Sequence, residues 1–212
     1  MNLQEYITMK NDGPFDNIVT NGGYCGIFRK IACVGDSLSS GEFESLMNGE
    51  KGYHDYMDYS WGQYIARDAG CTVYNFSKGG MTAKEYYESF ADSKDFWNID
   101  YRAQAYIIAL GVNDMYGDIE FGTIDDIDTD DYRNNKETFV GYYGRIIQRY
   151  KEIQPKAKFF LMSMPAEDLP ERTKERFQAH AEMLYKIAEL LGNCYVIDLN
   201  KYAPQYDDEF KS

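Results

Sequence analysis

A serine between small residues follows the first apolar run of the chain. That run covers residues 31–34 and continues directly into Gly35-Asp36-Ser37-Leu38. A serine at the end of a strand can present its hydroxyl to solvent, and such a hydroxyl attacks a carbonyl when a neighbouring base takes its proton. Ser37 is therefore the candidate nucleophile.

Two later apolar runs also end in polar loops that contain glycine. The loop after residues 72–76 reads SKGGMT over 77–82, and the loop after the third run reads GVNDMYGD over 111–118. Acyl transfer needs hydrogen-bond donors already aimed at the oxygen of the tetrahedral intermediate. A glycine in the second loop can supply a backbone N–H, Asn113 a side-chain amide and Ser37 its own N–H. Three loops therefore carry a nucleophile and three donors.

Five short apolar runs predict buried strands, and segments with helical spacing lie between them. The strands are predicted over 31–34, 72–76, 105–110, 158–162 and 194–199, and helices over about 60–69 and 81–91, before Pro155 and after Pro170. Repeated strand–helix alternation implies parallel pairing, because each crossover needs a helix over the sheet. We therefore predict a doubly wound, three-layer α/β/α domain with about five parallel strands. The three polar loops then share the carboxyl edge of its sheet, where ligands bind.

The composition is that of one acidic globular domain. The 212 residues are 44% hydrophobic and carry a net charge of −13. That charge repels phosphate backbones and anionic lipid, so neither nucleic acid nor a membrane is an expected partner. Residues 1–28 read as an irregular N-terminal extension and 29–212 as the domain. The first residues hold no secretory signal and the four cysteines no C-x-x-C spacing, so we expect a cytoplasmic protein with free thiols.

The three loops together resemble the SGNH hydrolases, also called GDSL esterases and lipases. The matching blocks, in family order between about residues 30 and 199, are Gly35-Asp36-Ser37-Leu38, Asn75 with Gly80 and Thr82, and Gly111-Val112-Asn113-Asp114. The resemblance implies that Ser37 is the nucleophile of a serine esterase that forms an acyl-Ser37 intermediate. It also implies an oxyanion hole made of the Ser37 N–H, the Gly80 N–H and the Asn113 side chain. No metal or organic cofactor is implied.

The family's catalytic base is a histidine in a D-x-x-H pattern after the fifth strand, and this chain shows no such pattern. No histidine follows Asp207 and Asp208. His180 has the spacing of a helix residue at the edge of the core, whereas His54 follows the nucleophile loop and is a candidate substrate contact.

The lack of the D-x-x-H pattern has two explanations. Either the chain stops short of the catalytic loop, or it is a degenerate member of the family. The first is favoured, because a deletion at this point would also expose core surface. We therefore expect the domain over 29–212 to lack its C-terminal catalytic loop and last helix, and the 212-residue chain to be nearly inactive.

An aromatic segment follows the nucleophile loop. It contains Tyr53, Tyr56, Tyr59, Trp61 and Tyr64. Aromatic faces beside a shallow site can stack on sugar rings, which favours a carbohydrate O-deacetylase acting on small acetyl esters. Two alternatives stay open. In one, the aromatic side chains form a secondary core; in the other, the protein is a non-catalytic carbohydrate- or partner-binding protein on the same scaffold.

One acidic stretch has the spacing of a calcium loop. Asp126, Asp128, Asp130 and Glu137 fall at positions 1, 3, 5 and 12 of an EF-hand. Position 6 is Asp131, however, where the sharp turn of that loop needs glycine. Carboxylates that cap a helix near residue 132 fit the pattern better, so no metal site is predicted.

Overall fold

The computed structural model describes residues 23–165 and 171–204. Its strands are β1 (Lys30–Gly35), β2 (Glu42–Met47), β3 (Glu50–Asp55), β4 (Thr72–Ser77), β5 (Ala105–Ala109), β6 (Lys158–Met162) and β7 (Cys194–Ile197). Five of them form one sheet in the order β4-β1-β5-β6-β7. Every neighbouring pair in this sheet is parallel. The predicted five-stranded parallel sheet is therefore confirmed.

Helices connect these strands. They are α1 (Ser37–Ser40), α2 (Trp61–Ala69), α3 (Ala83–Glu85), α4 (Ala91–Ser93), α5 (Val112–Tyr116), α6 (Phe139–Ile153), α7 (Glu171–Leu191) and α8 (Leu199–Tyr202). A π-helical turn, Tyr86–Phe90, joins α3 to α4. Short 3-10 turns cover Gly23–Ile27, Met57–Tyr59, Ile99–Tyr101, Ile124–Asp126 and Tyr132–Asn134. Within the described ranges, none of the helices is long and apolar enough to cross a membrane.

The side chains of β1 show why the sheet is covered on both faces. Successive side chains of a strand point to opposite faces. Ala32 and Val34 belong to the larger apolar cluster, which also contains buried residues of α6 and α7. Ile31 and Cys33 belong to a smaller cluster, against which Phe28 and residues of α2 pack. The sheet therefore lies between two layers, as predicted.

The segment before β1 packs on the smaller cluster. The Phe28 ring meets the Phe160 ring edge to face at 5.9 Å. Residues 1–22 of the predicted N-terminal extension lie outside the described residues. The four cysteines are all free thiols, and Cys33 is buried.

The strands β2 and β3 form an antiparallel hairpin that stands apart from the main sheet. The hairpin is not predicted by the sequence patterns; the aromatic segment begins at Tyr53 inside β3 and continues into α2. Asn48 and Gly49 form the turn with φ angles of 55° and 86°. Two consecutive positive φ angles at an Asn-Gly pair are typical of the type I′ turn that joins tightly paired strands.

Candidate active site

Ser37 begins α1 directly after β1. Asp36 caps this helix, since its Oδ1 accepts the Leu38 N–H at 3.0 Å. The Asp36 carbonyl oxygen accepts the N–H groups of Ser39 and Ser40 at 3.1 and 2.9 Å. The first N–H groups of a helix have no partner within it, and the Ser37 N–H has none among the described residues. Ser37 is half-buried.

Gly80 lies in a reverse turn of the second loop. The Met81 N–H donates to the Lys78 carbonyl oxygen at 3.3 Å and closes the turn. Gly80 has a φ of +74°, which side chains rarely adopt, and a Cβ placed there would face open space. In the described part of the chain, its N–H donates to no acceptor. The turn thus leaves one backbone donor free beside an open surface.

Asn113 and Asp114 lie in the third loop, at the start of α5, and bond to the backbone of the second loop. The Asn113 Nδ2 donates to the Met81 carbonyl oxygen at 3.0 Å, which leaves its second amide hydrogen free. The fully buried Asp114 carboxylate accepts the Ala83 N–H at 3.1 and 3.2 Å. These bonds fix the backbone on the carboxyl side of Gly80.

Asn75 joins the first loop to the second. Its Nδ2 donates to the Ser39 carbonyl oxygen at 2.9 Å, and its Oδ1 accepts the Ser77 N–H at 3.1 Å. The structure therefore brings together the three loops that sequence analysis places at one edge of the sheet.

Burial changes the protonation of two carboxyl groups in these loops. It raises the pKa of Asp36 to about 6, against the opposing hydrogen bond from the Leu38 N–H. It raises the pKa of Asp114 to about 7, against the bond from the Ala83 N–H, and the nearby Asp36 raises it further. Both groups are more readily protonated than ordinary carboxyl groups, so the site carries less negative charge than its composition suggests.

His180 lies on α7 and is completely buried, not at the edge of the core as sequence analysis expects. Its ring packs against Gly111, where a Cβ would lie only 2.6 Å from Nε2 and where φ is +136°. Glycine at this position is what leaves room for the ring. Burial lowers the pKa of His180 to about 4, so the ring is neutral at pH 7. The buried His180 ring therefore supports the backbone of the third loop at Gly111.

His54 lies on the exposed hairpin. Its Nε2 is 2.8 Å from the Ser45 Oγ, and its ring lies 5.2 Å from the Phe43 ring. The next residue, Asp55, faces the second loop, so His54 points to the opposite face of the hairpin. Its part as a substrate contact stays a prediction. Asp207 and Asp208 lie outside the described residues.

Two clefts flank the loops. One, of about 190 Å³, is lined mainly by apolar side chains, including Leu38, Val112, Met162 and Met164. The described residues that line it include no histidine. The other, of about 310 Å³, adjoins Gly80 and is lined by Lys78, Glu85, Ser89 and Ser93 among others.

Four rings form a continuous set on the hairpin and the turn that follows it, here called the aromatic row: His54, Phe43, Tyr56 and Tyr59. Neighbouring ring centroids lie 5.2, 6.3 and 4.9 Å apart. Tyr59 is 78% exposed and Tyr53, nearby, is 59% exposed. The alternative of a secondary core is therefore wrong for the tyrosines of the segment, whereas Trp61 packs on the smaller apolar cluster.

The carboxylates of the acidic stretch bond to groups within or close to the same stretch. Asp126 accepts Lys136 Nζ at 2.8 Å, and Asp128 accepts the N–H groups of Asp130 and Asp131 at 2.8 and 3.0 Å. Asp131 caps a 3-10 turn, Tyr132–Asn134, in place of the expected helix. The described residues include no group of three metal-ligating side chains that could hold an ion.

Comparison with solved structures shows the same fold in carbohydrate esterases. A family two carbohydrate esterase from Clostridium thermocellum, in complex with cellohexaose, is 18% identical with a TM-score of 0.59, covering 84% of this chain and 55% of that one. A carbohydrate esterase family 2 enzyme from Corynascus thermopiles, with a carbohydrate binding domain, is 17% identical with a TM-score of 0.56, covering 84% and 60%. This chain thus spans little more than half of their length.

The family comparison covers most of the chain. No curated protein sequence matches. The model of the GDSL-like lipase/acylhydrolase family matches residues 33–212, which include all three loops of the site. The chain belongs to the GDSL-like lipase/acylhydrolase family.

Proposed function

We propose that this chain is built for serine ester hydrolysis, with Ser37 as the nucleophile. The observation that carries the proposal is the set of three donors with free hydrogens: the Ser37 N–H, the Gly80 N–H and the second Asn113 amide hydrogen. Among the described residues, none of the three hydrogens is taken by a protein acceptor. Each donor lies on a different loop, and the loops are joined by hydrogen bonds.

The chemistry follows from this arrangement. The Ser37 Oγ attacks the ester carbonyl and gives its proton to a base. The carbonyl oxygen becomes negative and accepts hydrogen bonds from the three donors. Collapse of the intermediate forms acyl-Ser37 and expels the alcohol, which takes up a proton. Water then attacks the acyl group by the same route and frees Ser37.

The base is the component that the described residues do not supply. His180 is buried behind Gly111, and His54 bonds to Ser45 on the hairpin. These are the only histidines in the sequence. Loss of the histidine from a serine triad lowers kcat by about 10⁶. We therefore propose that this chain alone turns over very slowly.

The substrate that we propose is a small acyl ester, an acetyl group above all, on a carbohydrate. The exposed aromatic row begins within the hairpin that follows α1, and the Tyr56 N–H donates to the Gly41 carbonyl oxygen at 3.2 Å at the end of that helix. Rings exposed to solvent suit sugar faces better than an acyl chain alone. The similar Clostridium thermocellum esterase holds cellohexaose, which supports this substrate class.

A second candidate is a carbohydrate-binding protein without catalysis. The same aromatic row supports it, and so does the absence of a histidine next to Ser37 among the described residues. The presence of all three oxyanion donors favours the hydrolase.

Covalent labelling separates the two candidates. The chain is incubated with excess fluorophosphonate probe, and the intact mass and the labelled peptide are determined. We expect a single, slowly formed adduct on Ser37 that Ser37→Ala abolishes. The control Thr72→Ala removes an exposed hydroxyl at the start of β4, at the other end of the strand from the site, and it should label as the wild type does. Labelling that survives Ser37→Ala contradicts the hydrolase, and oligosaccharide binding without any adduct favours the second candidate.

A further inference from the structure

We propose that Asp55 is a positioning residue for the Gly80 N–H. This inference rests on the proposed function of the site. Asp55 is the last residue of β3, outside the main sheet and outside the three family blocks. Its carboxylate joins the helix that carries Ser37 to the loop that carries Gly80.

One oxygen of Asp55 makes both connections. Asp55 Oδ1 accepts the Ser40 hydroxyl at 2.5 Å and the Gly79 N–H at 3.0 Å. Ser40 is fully buried in α1, three residues after Ser37. Hydrogen bonds to an ionised carboxylate are about twice as strong as those between neutral groups. The hairpin therefore ties α1 and the second loop together through a charged acceptor.

The second loop needs such an external tie, because Gly79 and Gly80 are consecutive. Glycine has the widest backbone freedom of any residue, so local sterics do not fix the peptide unit that carries the Gly80 N–H. Asn113 and Asp114 hold the backbone only on the carboxyl side, at Met81 and Ala83. Asp55 supplies the restraint on the residue before Gly80.

The close packing of Gly79 against the hairpin supports this positioning role. A Cβ at Gly79 would lie 1.9 Å from Glu42 Oε2 and 3.3 Å from Asp55 Oδ1. The backbone of the second loop therefore passes directly against two hairpin carboxylates, which a side chain at position 79 would hinder. Asp55 Oδ1 is occupied by two donors, so we assign it no proton transfer.

Three variants and one matched control test the proposal. Asp55→Ala removes the acceptor, whereas Asp55→Asn keeps an oxygen that can accept both bonds. The matched control is Glu44→Ala, because Glu44 lies on the same face of the hairpin and its exposed carboxylate pairs with Lys51. Ser40→Ala removes the other partner and should leave the Gly79 bond in place.

The first readout does not depend on catalysis. Amide exchange and ¹⁵N–¹H shifts are measured by NMR for residues 78–81 and for β5. In Asp55→Ala we expect the Gly79 amide to exchange about tenfold faster, since it loses a bond to a charged acceptor, with shift changes at Gly80 and none in β5. Glu44→Ala and Ser40→Ala should keep the protection of Gly79, and Asp55→Asn most of it.

The second readout is the rate of reaction at Ser37, measured as ester turnover with added imidazole as the base. We expect kcat to fall about tenfold in Asp55→Ala with KM unchanged, because a misaimed donor loses part of the 10²–10³ that one oxyanion donor contributes. Asp55→Asn should recover most of kcat. If the wild type shows no activity, the proposed function is contradicted. The amide exchange of Gly79 still tests whether Asp55 positions the second loop.

Two results overturn the proposal. One is an Asp55→Ala protein in which Gly79 exchange and the Gly80 shift match the wild type. The other is an equal loss of kcat in Asp55→Ala and Glu44→Ala, which would indicate a general effect of the hairpin.

Discussion

The two sides of Ser37 differ in kind. On one side, polar side chains hold the backbone of the loops: Asn75 bonds to Ser39, Asn113 to Met81 and Asp114 to Ala83. On the other side lies the cleft of about 190 Å³ with mainly apolar walls. In the proposed reaction, the first side stabilises the negative oxygen. The second offers, within the described residues, no histidine to take a proton.

The difference follows from the topology of the sheet. The strand order β4-β1-β5 places the loops after β4 and β5 on either side of the loop that carries Ser37. Adjacent parallel strands fix where these three loops begin, so short hydrogen bonds are enough to complete the donor set. Proton transfer needs a group beyond these three loops. In the proposed mechanism, stabilisation of the intermediate and activation of the nucleophile therefore depend on different parts of the site.

The largest effect on the polar side should come from Asn113→Ala. Removal of one oxyanion donor lowers kcat by about 10²–10³. We expect this loss in Ser37-dependent ester turnover, with the far-UV circular dichroism unchanged. Asn134→Ala serves as the control, because the Asn134 amide bonds only to Asp128 on the surface. Equal rates for the two variants would remove Asn113 from the proposed oxyanion hole.

The buried carboxyl of Asp114 should make stability depend on pH. Its pKa is about 7 in the folded protein, against about 3.9 in an unfolded chain. Its contribution to the free energy of unfolding is therefore complete below about pH 4 and is lost as the pH rises through 7. Asp114→Asn stays neutral, so relative to the wild type it should gain at most about 4 kcal/mol between pH 4 and pH 8. Urea unfolding at pH 4, 6 and 8 measures this difference.

Other groups titrate in the same window but are present in both proteins. The raised pKa of Asp36, about 6, lowers stability as the pH rises, whereas the lowered pKa of His180, about 4, raises it between pH 4 and 6.5. Their effects largely cancel in the comparison of wild type with variant. An unchanged difference across the pH range would contradict the protonation assigned to Asp114.

The smallest effect should come from the aromatic row. Tyr59→Ala removes an exposed ring that packs on Tyr56, so we expect weaker oligosaccharide binding without loss of stability. An aromatic contact contributes about 0.5–1.5 kcal/mol, which corresponds to a rise in Kd of about 2- to 13-fold. Calorimetric titration with cellohexaose measures it. Tyr195→Ala, on the outer strand β7, is the control, and an equal change in both would place the sugar elsewhere.

Sequence patterns predict the three polar loops of the site, because the positions of these loops depend on the strands of the sheet. Apolar runs define the five strands, and the polar residues that follow three of them are the ones that the structure joins. The apolar runs do not predict the hairpin, although Asn48-Gly49 is a strong local signal for a tight turn. Asp55 has no local signal, because its partners Ser40 and Gly79 lie 15 and 24 residues away. His180 has helical spacing, but its complete burial depends on the space above Gly111.

Chemical rescue tests the central claim most directly. The hydrolysis of 4-nitrophenyl acetate is followed with increasing imidazole, which can act as the base. The Ser37→Ala chain gives the background of imidazole acting alone. We predict that imidazole accelerates the wild type well beyond that background and that an acetyl adduct appears on Ser37. Identical rates for the two chains at every imidazole concentration, with no adduct, would contradict the account.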